Sequence, residues 1–388
     1  MPSLAPPKVV NIFDLRHLAQ RRLPAAVFDY IDGGAEAEVT LRENMRAFEE
    51  ISFRPRNGVA IGQTDLRTNV LGTEMAFPVV VAPVGFTRLF HPEGERGVAQ
   101  AANAAGLPYC LSSFSGYHVN ELRKVSNGPL WYQLYIAGGR EVAEASLERA
   151  QKAGFSVLAV TTDTNVPGYR ERDVRNGNAQ LMSGSLFAKI PYLPQLFSHP
   201  DWLFRFLADR EALQFPNIEI DKAPMRADDV HKVLSQSVMQ WSDMKWIRKA
   251  WKGPIVTKGI STGDDARRSL DEGAAGVIVS NHGGRQLDGS PASLRALPEV
   301  LEAINGRGEV LVDGGIRRGS DIVKAICMGA KAVLCGRAYA YGLAAAGQAG
   351  VTRAFEILRT DLDRTLKLLG CASVKQLDES YIRVNKPL

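Results

Sequence analysis

Short runs of β-branched and other apolar residues recur along the chain, and each run has the length of a buried strand. They are Val79–Ala82, Pro108–Ser112, Trp131–Tyr135, Val157–Thr161, Ile255–Lys258, Val277–Ser280, Val310–Asp313 and Ala332–Cys335. Most are separated by segments with helical apolar spacing, such as Arg140–Ala153 and Thr262–Gly273. Ser261 is the expected cap of the second of these helices, and Gly273 its end. Repeated alternation of strand and helix predicts parallel strands joined by crossover helices.

The number of repeats favours a closed barrel over an open sheet. An open doubly wound sheet is the alternative, but it would need a G-x-G-x-x-G segment, which the chain lacks. We therefore predict an α/β protein with a (β/α)₈ TIM barrel, in which residues 1–388 form one domain. Residues 1–75 are expected to form a helical cap, with helices Asn11–Ile31 and Glu36–Phe48, and residues 76–388 the barrel.

A long insertion, residues 174–240, follows the fourth predicted strand. Its middle, residues 186–207, is broken by prolines and combines aromatic with basic residues: Phe187, Lys189, Tyr192, Phe197, Trp202, Phe204, Arg205 and Phe206. An insertion at this point emerges at the C-terminal face of a barrel, where active sites lie, and long irregular insertions are usually functional. We expect a peripheral membrane contact, because aromatic and basic residues favour the membrane interface. The alternative is a lid that buries the same aromatics over the barrel mouth.

Composition and charge narrow the class of protein. The chain is 45% hydrophobic and 23% charged, as expected for a globular protein with a full core. Its net charge of +5 is dispersed, so we expect no nucleic-acid binding. Cys110, Cys327, Cys335 and Cys371 form no Cys-x-x-Cys pair and are expected to be buried, reduced thiols. With no apolar signal core at the N-terminus and no apolar run long enough to cross a bilayer, we expect a cytoplasmic protein, with peripheral contact at the inner face of the membrane.

Polar or glycine-rich groups follow almost every predicted strand. They are Pro83-Val84-Gly85, Ser112, Gln133 with Tyr135, Thr161 with Asp163, Lys258, Asn281-His282-Gly283-Gly284-Arg285, Asp313-Gly314-Gly315-Ile316-Arg317 and Gly336-Arg337. A ring of such groups at one end of a barrel is expected to be an active site. The glycines beside Arg317 and Arg337 follow strands seven and eight, where barrels commonly bind phosphate. The alternative is that these are ordinary turn glycines beside solvated arginines.

His282 differs from the other histidines in its surroundings. His17, His91, His118, His199 and His231 stand without metal-ligand spacing, and we expect no metal centre. His282 lies at a strand end beside two glycines and Arg285, where an imidazole can accept a proton and a guanidinium can bind a carboxylate with two hydrogen bonds.

The segment Ser280-Asn-His-Gly-Gly-Arg-Gln-Leu-Asp288 resembles the signature of the FMN-dependent L-2-hydroxy acid oxidases and dehydrogenases. The resemblance runs from Phe28–Ala35 to the segment ending at Gly350, nearly the whole chain. It implies that His282 is the active-site base and that Asp163 orients and stabilises its imidazolium. It also implies that Arg285 and Arg170 bind the substrate carboxylate, and that Tyr30 and Tyr135 donate hydroxyl hydrogen bonds to the substrate. The base takes either the α-proton or the hydroxyl proton.

The resemblance implies FMN as the cofactor. Lys258 resembles the lysine beside flavin N1 and O2, whose charge stabilises the reduced ring. The residues implied to surround the isoalloxazine ring are Pro83, Val84, Gly85, Ser112, Gln133, Thr161 and Ser280. Those implied to contact the ribityl chain and the phosphate are Asp313, Gly315, Arg317, Gly336 and Arg337.

Within the family, Ala82-Pro-Val-Gly85 is similar to bacterial lactate and mandelate dehydrogenases, and Gly168–Asp173 to mandelate dehydrogenases. We therefore expect oxidation of an L-2-hydroxy acid to the 2-keto acid, L-lactate first and (S)-mandelate second, by a homotetramer that passes electrons to a quinone-type acceptor. The enzymatic alternatives are an oxidase that reduces oxygen to hydrogen peroxide and the flavin enzyme that matures mycofactocin. The non-enzymatic alternative is a catalytically silent flavin-binding protein.

Overall fold

The computed structural model describes residues 8–182, 186–209, 211–230, 233 and 238–385. Its strands are β1 (Ile51–Phe53), β2 (Thr68–Val70), β3 (Thr73–Met75), β4 (Val79–Val81), β5 (Tyr109–Ser112), β6 (Leu130–Leu134), β7 (Val157–Thr161), β8 (Gln214–Ile220), β9 (Ala223–Arg226), β10 (Ile255–Ile260), β11 (Gly276–Val279), β12 (Glu309–Asp313), β13 (Ala332–Cys335) and β14 (Ile382–Val384). β4–β7 and β10–β13 form a closed parallel barrel, in which β7 pairs with β10 and β13 with β4. The predicted barrel is confirmed, and each predicted strand overlaps an observed one.

The helices surround the barrel. They are α1 (Ile12–Arg22), α2 (Ala25–Asp32), α3 (Val39–Glu49), α4 (Thr87–Phe90), α5 (Gly94–Ala104), α6 (Val119–Val125), α7 (Arg140–Lys152), α8 (Glu171–Arg175), α9 (Asn178–Met182), α10 (Leu186–Lys189), α11 (Leu193–Phe197), α12 (Pro200–Ala208), α13 (Met244–Ala250), α14 (Gly263–Asp271), α15 (Ser293–Ile304), α16 (Gly319–Cys327) and α17 (Arg337–Leu369). α17 is kinked where Ala346 and Gly347 leave the helical conformation.

Burial on both faces explains why the barrel strands are so easily recognised. Val80, Ile278 and Leu334 pack together inside the barrel. Their sequence neighbours, such as Val79 and Val333, belong to the larger core that includes the surrounding helices. Parallel strands covered on both faces have nearly continuous apolar sequences, and this is the pattern that the chain repeats.

The N-terminal region corrects one predicted element. The segment predicted as one helix, Asn11–Ile31, is two helices, α1 and α2, which are separated at Pro24. Proline disfavours helical geometry in the preceding residue, and Leu23 is extended at φ −105° and ψ 142°. The break allows α2 to turn toward the barrel mouth, so that its last turn brings Tyr30 to the cavity there.

The cap of α14 is a second correction. Thr262, rather than Ser261, is the N-cap, and its Oγ1 accepts a hydrogen bond from the backbone N–H of Asp265 at 3.3 Å. Ser261 lies one residue too early to reach the first turn of the helix. Gly273 lies two residues beyond the last helical residue, Asp271, with φ of 92°.

The insertion is more regular than its sequence predicts. Its described part consists of the short helices α8–α12 and a two-stranded antiparallel sheet, β8 with β9. Pro191, Pro194 and Pro200 lie in the first turns of successive helical segments, where the missing N–H is not needed. The prolines thus divide the segment into short helices instead of making it irregular.

Aromatic side chains of the insertion point in two directions. Trp202 and Phe206 stack with ring centroids 4.9 Å apart, and Trp202 Nε1 donates to the carbonyl of Leu89 at 2.7 Å. Phe187, Phe197 and Phe204 instead face outward, with 86%, 67% and 76% of their surface exposed. No helix within the described residues is both long enough and apolar enough to cross a membrane.

Candidate active site

The polar groups that follow the barrel strands meet around one cavity of about 670 Å³ at the barrel mouth. The predicted site residues that line it are Tyr30, Pro83, Val84, Gly85, Ser112, Tyr135, Arg170, Lys258, His282, Arg285, Asp313, Gly315, Arg317, Gly336 and Arg337. Gln133, Thr161, Asp163 and Ser280 lie outside this lining set. The structure therefore brings the predicted residues together, most of them at the cavity surface.

Each of the four predicted residues outside the cavity lining contacts a lining residue or another of the four. Gln133 Nε2 donates to Thr161 Oγ1 at 2.8 Å within the buried barrel top. Ser280 Oγ accepts from Lys258 Nζ at 2.9 Å and from the backbone N–H of His282 at 3.0 Å. Ser280 thus fixes the positions of two groups that face the cavity.

His282 lies between an acidic and a phenolic partner. Its Nδ1 is 3.1 Å from Asp163 Oδ1, and its Nε2 is 3.1 Å from Tyr135 Oη. Burial raises the pKa of Asp163 while the neighbouring His282 lowers it, and the net shift is downward. An ionised carboxylate at Nδ1 fixes the imidazole orientation and stabilises the protonated ring. Nε2 is then the nitrogen available to exchange a proton in the cavity.

Lys258 supplies a buried positive charge at the barrel mouth. Its Nζ is 3.2 Å from Asp313 Oδ2. Burial alone lowers the pKa of Lys258, but the charge of Asp313 raises it, and the net shift is upward. The ammonium group therefore stays charged at neutral pH.

Two arginines flank the aromatic ring of Tyr30. The guanidinium carbons of Arg285 and Arg170 lie 4.9 Å and 5.9 Å from the ring centroid. Arg285 Nη1 donates to the carbonyls of Tyr30 and Gly33 at 2.6 Å and 3.0 Å. Burial and then the charge of Arg170 lower the pKa of Arg285. Arg170 Nε also pairs with Asp173 Oδ2 at 2.8 Å, and the two guanidinium groups leave positive charge at the cavity that suits an anion.

The glycine-rich loop after β12 has backbone geometry that other residues resist. Gly314 and Gly315 have φ of 92° and 83°. A Cβ on Gly315 would lie 2.0 Å from the carbonyl oxygen of Asn44, so no side chain fits there. This close approach brings the loop against α3 and leaves Arg317 at the cavity.

The loop after β13 leads directly into α17. Arg337 donates from Nε to Ile31 O at 2.9 Å, from Nη1 to Gly283 O at 2.8 Å and from Nη2 to Gly33 O at 2.8 Å. A guanidinium has five N–H groups, so two remain for a further acceptor. Burial lowers the pKa of Arg337 to about 10, which leaves it charged.

These residues fit FMN on the structure's own terms. Asp313 Oδ1 is buried and has no hydrogen-bond partner among the described residues, and a ribityl hydroxyl is a suitable donor for it. Arg337 begins α17 at the cavity, and the first N–H groups of a helix suit a phosphate. Arg317 adds a cation at the same place.

One side of the cavity is an apolar wall that includes Phe86, a residue that the sequence motifs did not identify. Phe86 and Phe114 line the cavity, and both rings pack edge-on against Phe215 of β8, at 4.6 Å and 5.5 Å. Ala227 and Val230 of the insertion complete this side. Phe86 follows Gly85 directly and has φ of 61°, so its position beside the strand-end loop was the available signal.

The remaining histidines and cysteines lie elsewhere. His231 lies outside the described residues. In the part of the chain that the structure describes, no cluster of three or more His, Cys, Asp or Glu residues has the arrangement of a metal site. All four cysteines are free and buried, as predicted.

Comparison with known proteins places this site in a family. Residues 19–384 match the family model described as FMN-dependent dehydrogenase. An L-lactate dehydrogenase of Caulobacter vibrioides is 41% identical, over 98% of this chain and 99% of that protein. An L-lactate oxidase of Nostoc sp. is 39% identical, over 97% of this chain and 98% of that protein. The crystal structure of a monotopic membrane protein, (S)-mandelate dehydrogenase, has a TM-score of 0.90 at 36% identity, covering 97% and 99% of the two chains.

A barrel with these relatives defines an oxidoreductase. The chain belongs to the family of FMN-dependent dehydrogenases. The predicted family and class of enzyme are both confirmed.

Proposed function

We propose that this protein oxidises an L-2-hydroxy acid, L-lactate first, to the 2-keto acid and passes the electrons to a quinone-type acceptor. The observation that carries the proposal is the contact of His282 with Asp163 on one side and Tyr135 on the other, beside the paired Arg170 and Arg285. A base and a carboxylate-binding pair in one cavity are what a 2-hydroxy acid requires. This full set of groups argues against a catalytically silent protein.

Different residues of the chain bind the substrate and accept its proton. Arg285 and Arg170 bind the substrate carboxylate, and Tyr30 and Tyr135 donate hydrogen bonds to the substrate oxygens. His282 accepts the substrate proton at Nε2, and ionised Asp163 stabilises the resulting imidazolium. FMN, when bound, would accept the two electrons together with the second hydrogen that the substrate loses.

FMN is proposed to lie along the strand ends from β4 to β13, within a single domain of residues 1–388. Lys258 would lie beside the ring, where its charge favours the reduced state. The residues proposed to surround the ring are Pro83, Val84, Gly85, Ser112, Gln133, Thr161 and Ser280. The residues proposed to bind the ribityl chain and phosphate are Asp313, Gly315, Arg317, Gly336 and Arg337.

(S)-Mandelate is the second candidate substrate. The apolar wall of Phe86 and Phe114, with Phe215 packed behind them, suits a substrate with an apolar side chain such as an aryl group, because the wall would shield that group from water. The neighbour with a TM-score of 0.90 is named as a mandelate dehydrogenase. L-Lactate stays first because relatives of 41% identity are named L-lactate dehydrogenase.

Substrate and acceptor are tested together on the purified holoenzyme. Cofactor released by heat is identified by mass spectrometry, and FMN rather than FAD is expected. Without oxygen, L-lactate or (S)-mandelate should bleach the flavin absorbance, and the faster of the two identifies the substrate. Reoxidation of the flavin should be fast with a soluble quinone and slow in air. The reverse order would make the protein an oxidase. If neither acid bleaches the flavin, the proposal is overturned.

We also propose that residues 186–207 contact the membrane peripherally, at the inner face of the cytoplasmic membrane, in a homotetramer. Support comes from the exposed rings of Phe187, Phe197 and Phe204 and from the neighbour described as monotopic. Serine at all three positions should abolish co-sedimentation with lipid vesicles and leave lactate-driven bleaching intact. The matched control places serine at exposed Phe13. Vesicle binding that survives the triple change would exclude this contact.

A further inference from the structure

A second cavity of about 220 Å³ lies between the end of α1, the loop after α4 and helix α12. Its lining includes Arg22, His91, Trp202 and Arg205. A single water needs roughly 10–15 Å³ of such space, so a tetrahedral anion fits easily. Phe90 is the side chain of this lining that also lines the active-site cavity, so the two cavities are neighbours but distinct.

The cavity carries positive charge that is not neutralised within the described residues. Arg22 donates to the carbonyl of Ala345, and Arg205 Nη1 lies 3.3 Å from His91 Nε2, but neither arginine forms an ion pair with a described carboxylate. Asp201 also lines the cavity, and its negative charge acts on Arg22. Burial, followed by the charge of Arg205, lowers the pKa of Arg22. An anion here would relieve the repulsion between the two guanidinium groups.

His91 lies beside Arg205 and, when its imidazole is neutral, adds no charge of its own to the cavity. Its Nδ1 faces Glu93 Oε2 at 3.9 Å, and the same carboxylate oxygen accepts from the backbone N–H of Gln348. Burial lowers the pKa of His91, the charge of Glu93 raises it and the charges of Arg205 and Arg22 lower it, so that the net shift is downward. Because Nδ1 accepts from the backbone N–H of Glu93 at 3.3 Å, a neutral imidazole carries its proton on Nε2, beside Arg205 Nη1, and both groups can donate to an anion in the cavity.

Helix α12 also carries exposed apolar side chains that do not line the cavity. Trp202 and Arg205, three residues apart, face the cavity from α12. Phe204 and Leu207, also three residues apart, project from the helix with 76% and 67% of their surface exposed. A ligand with a phosphate group and acyl chains would place its phosphate beside Arg205 and its acyl chains against Phe204 and Leu207.

We propose that this cavity binds a phosphate group, and that its source is the headgroup of an acidic phospholipid. The proposal rests on the membrane contact proposed above, which needs only apolar insertion. It adds a defined headgroup site formed by Arg22, Arg205 and the His91 side chain.

Two single charge removals on the same insertion give the first test. Arg205→Gln removes a cavity cation, whereas Lys189→Gln removes a cation among the exposed aromatics that does not line the cavity. Binding of the holoenzyme to vesicles of phosphatidylcholine with 30% phosphatidylglycerol, on the order of a physiological charge density, should weaken about tenfold for Arg205→Gln. Lys189→Gln should change it by less than about threefold. Equal losses would mean that general surface charge attracts the membrane, and the cavity site would be wrong.

Soluble probes then identify the source of the phosphate. Dihexanoylphosphatidylglycerol below its micelle concentration should raise the melting temperature of the wild-type holoenzyme, and Arg22→Gln or Arg205→Gln should abolish that rise. Inorganic phosphate at equal concentration should give a much smaller rise. A full rise with inorganic phosphate would mean a free phosphate ligand, and the lipid assignment would fall.

The two proposals fail separately. If the wild-type protein binds no vesicles, the membrane contact is wrong, and the soluble-lipid experiment still decides the cavity. The three-serine variant of the exposed phenylalanines should keep the thermal response to soluble lipid, because those rings do not line the cavity. Absence of any response in the wild-type protein would overturn the headgroup site.

Discussion

His282 has φ of 57°, in the left-handed region that residues with a Cβ seldom occupy. Gly283 and Gly284 continue the same turn with φ of 65° and 75°. Such strain is retained where the surrounding structure fixes it, and here Ser280 Oγ accepts from the His282 N–H while Asp163 holds the ring. The turn aims Nε2 at Tyr135 and the cavity, so the strained backbone is part of how the base is positioned.

His282→Gln should keep FMN bound and slow anaerobic flavin reduction by about 10³-fold, because glutamine cannot accept the proton. His282→Asn should lose a similar factor, although asparagine tolerates left-handed geometry better. Stopped-flow absorbance measures both, with His17→Gln, at an exposed position in the middle of α1, as control. A glutamine variant that reduces at the wild-type rate would show that another group is the base.

Phe114→Leu should shift substrate preference toward mandelate. The Phe114 ring packs against Tyr135 at 5.0 Å and against Phe215 at 5.5 Å, and a smaller side chain gives an aryl group more room. The ratio of kcat/KM for mandelate to that for lactate should rise about tenfold. Leu213→Ala, a change in a half-buried side chain packed on the same cluster but not lining the cavity, is the control. An unchanged ratio would place the substrate side chain elsewhere.

At the scale of elements, the N-terminal helices are joined to the barrel by one buried carboxylate. Asp32, in the last turn of α2, accepts from Arg16 of α1 at 2.5 Å, from Arg172 of α8 at 2.9 Å and from Tyr341 of α17 at 2.7 Å. Burial raises the pKa of Asp32, but hydrogen bonds from Arg16 and Tyr341 lower it more, and the net shift is strongly downward.

Asp32→Asn should lower the free energy of unfolding at pH 7 by about 2 kcal/mol. This is less than the loss of a fully buried ion pair would cost, because Arg16 and Arg172 are partly exposed to solvent. A carboxyl whose folded-state pKa is depressed stabilises the fold above its unfolded pKa of about 4, and this stability is lost as pH falls further. The difference in free energy of unfolding between the wild type and the variant should therefore decrease from pH 5 to pH 2. Denaturant unfolding across that range measures it, and Asp264→Asn at an exposed pair should have little effect. A gap that does not depend on pH would show that the carboxylate charge is not the cause.

How much of the structure the sequence could predict also differs between elements. The barrel strands were predicted because burial on both faces gives them continuous apolar sequences, and the strand ends then placed the site. The break at Pro24 had a signal in the sequence, and the single predicted helix overlooked it. The sheet of β8 and β9 had no such signal, since β8 contains Pro216 and Asn217. Asn217 is fixed by contacts about 100 residues away, with Oδ1 accepting from Val119 N at 3.0 Å and Nδ2 donating to Tyr117 O at 2.9 Å.

The site shows the same limit. His282 and Arg285 were identifiable within one short segment, but Asp163 lies 119 residues from His282 in sequence. Their contact depends on side-chain directions at the ends of two strands, which spacing alone does not fix. The resemblance to a known family supplied that pairing, and the structure supplies its geometry.

At the scale of the whole molecule, the strand that follows the N-terminal helices pairs with the last strand of the structure. β14 runs antiparallel to β1, with Ile51 opposite Val384 and Phe53 opposite Ile382. The last strand therefore covers the segment that connects the N-terminal helices to the barrel. Ile51 and Ile382 are both buried at this junction.

Ending the chain after Tyr381 should destabilise the protein by about 2 kcal/mol or more, because it removes Ile382 and exposes Ile51. The melting temperature should fall, while flavin reduction at 25 °C should stay measurable because β1 and β14 form a sheet that is separate from the barrel. A shorter deletion, after Asn385, removes no part of β14 and serves as control. An unchanged melting temperature would show that the pairing contributes nothing.

The three carbonyl contacts of Arg337 have a consequence for anyone redesigning this enzyme. One guanidinium joins the end of α2, through Ile31 and Gly33, to Gly283, the residue after the base. Altering this arginine to accept a different cofactor would therefore also loosen the catalytic turn and the helix that carries Tyr30. Cofactor preference and turnover are not independent properties here, and an engineering campaign would have to select for both at once.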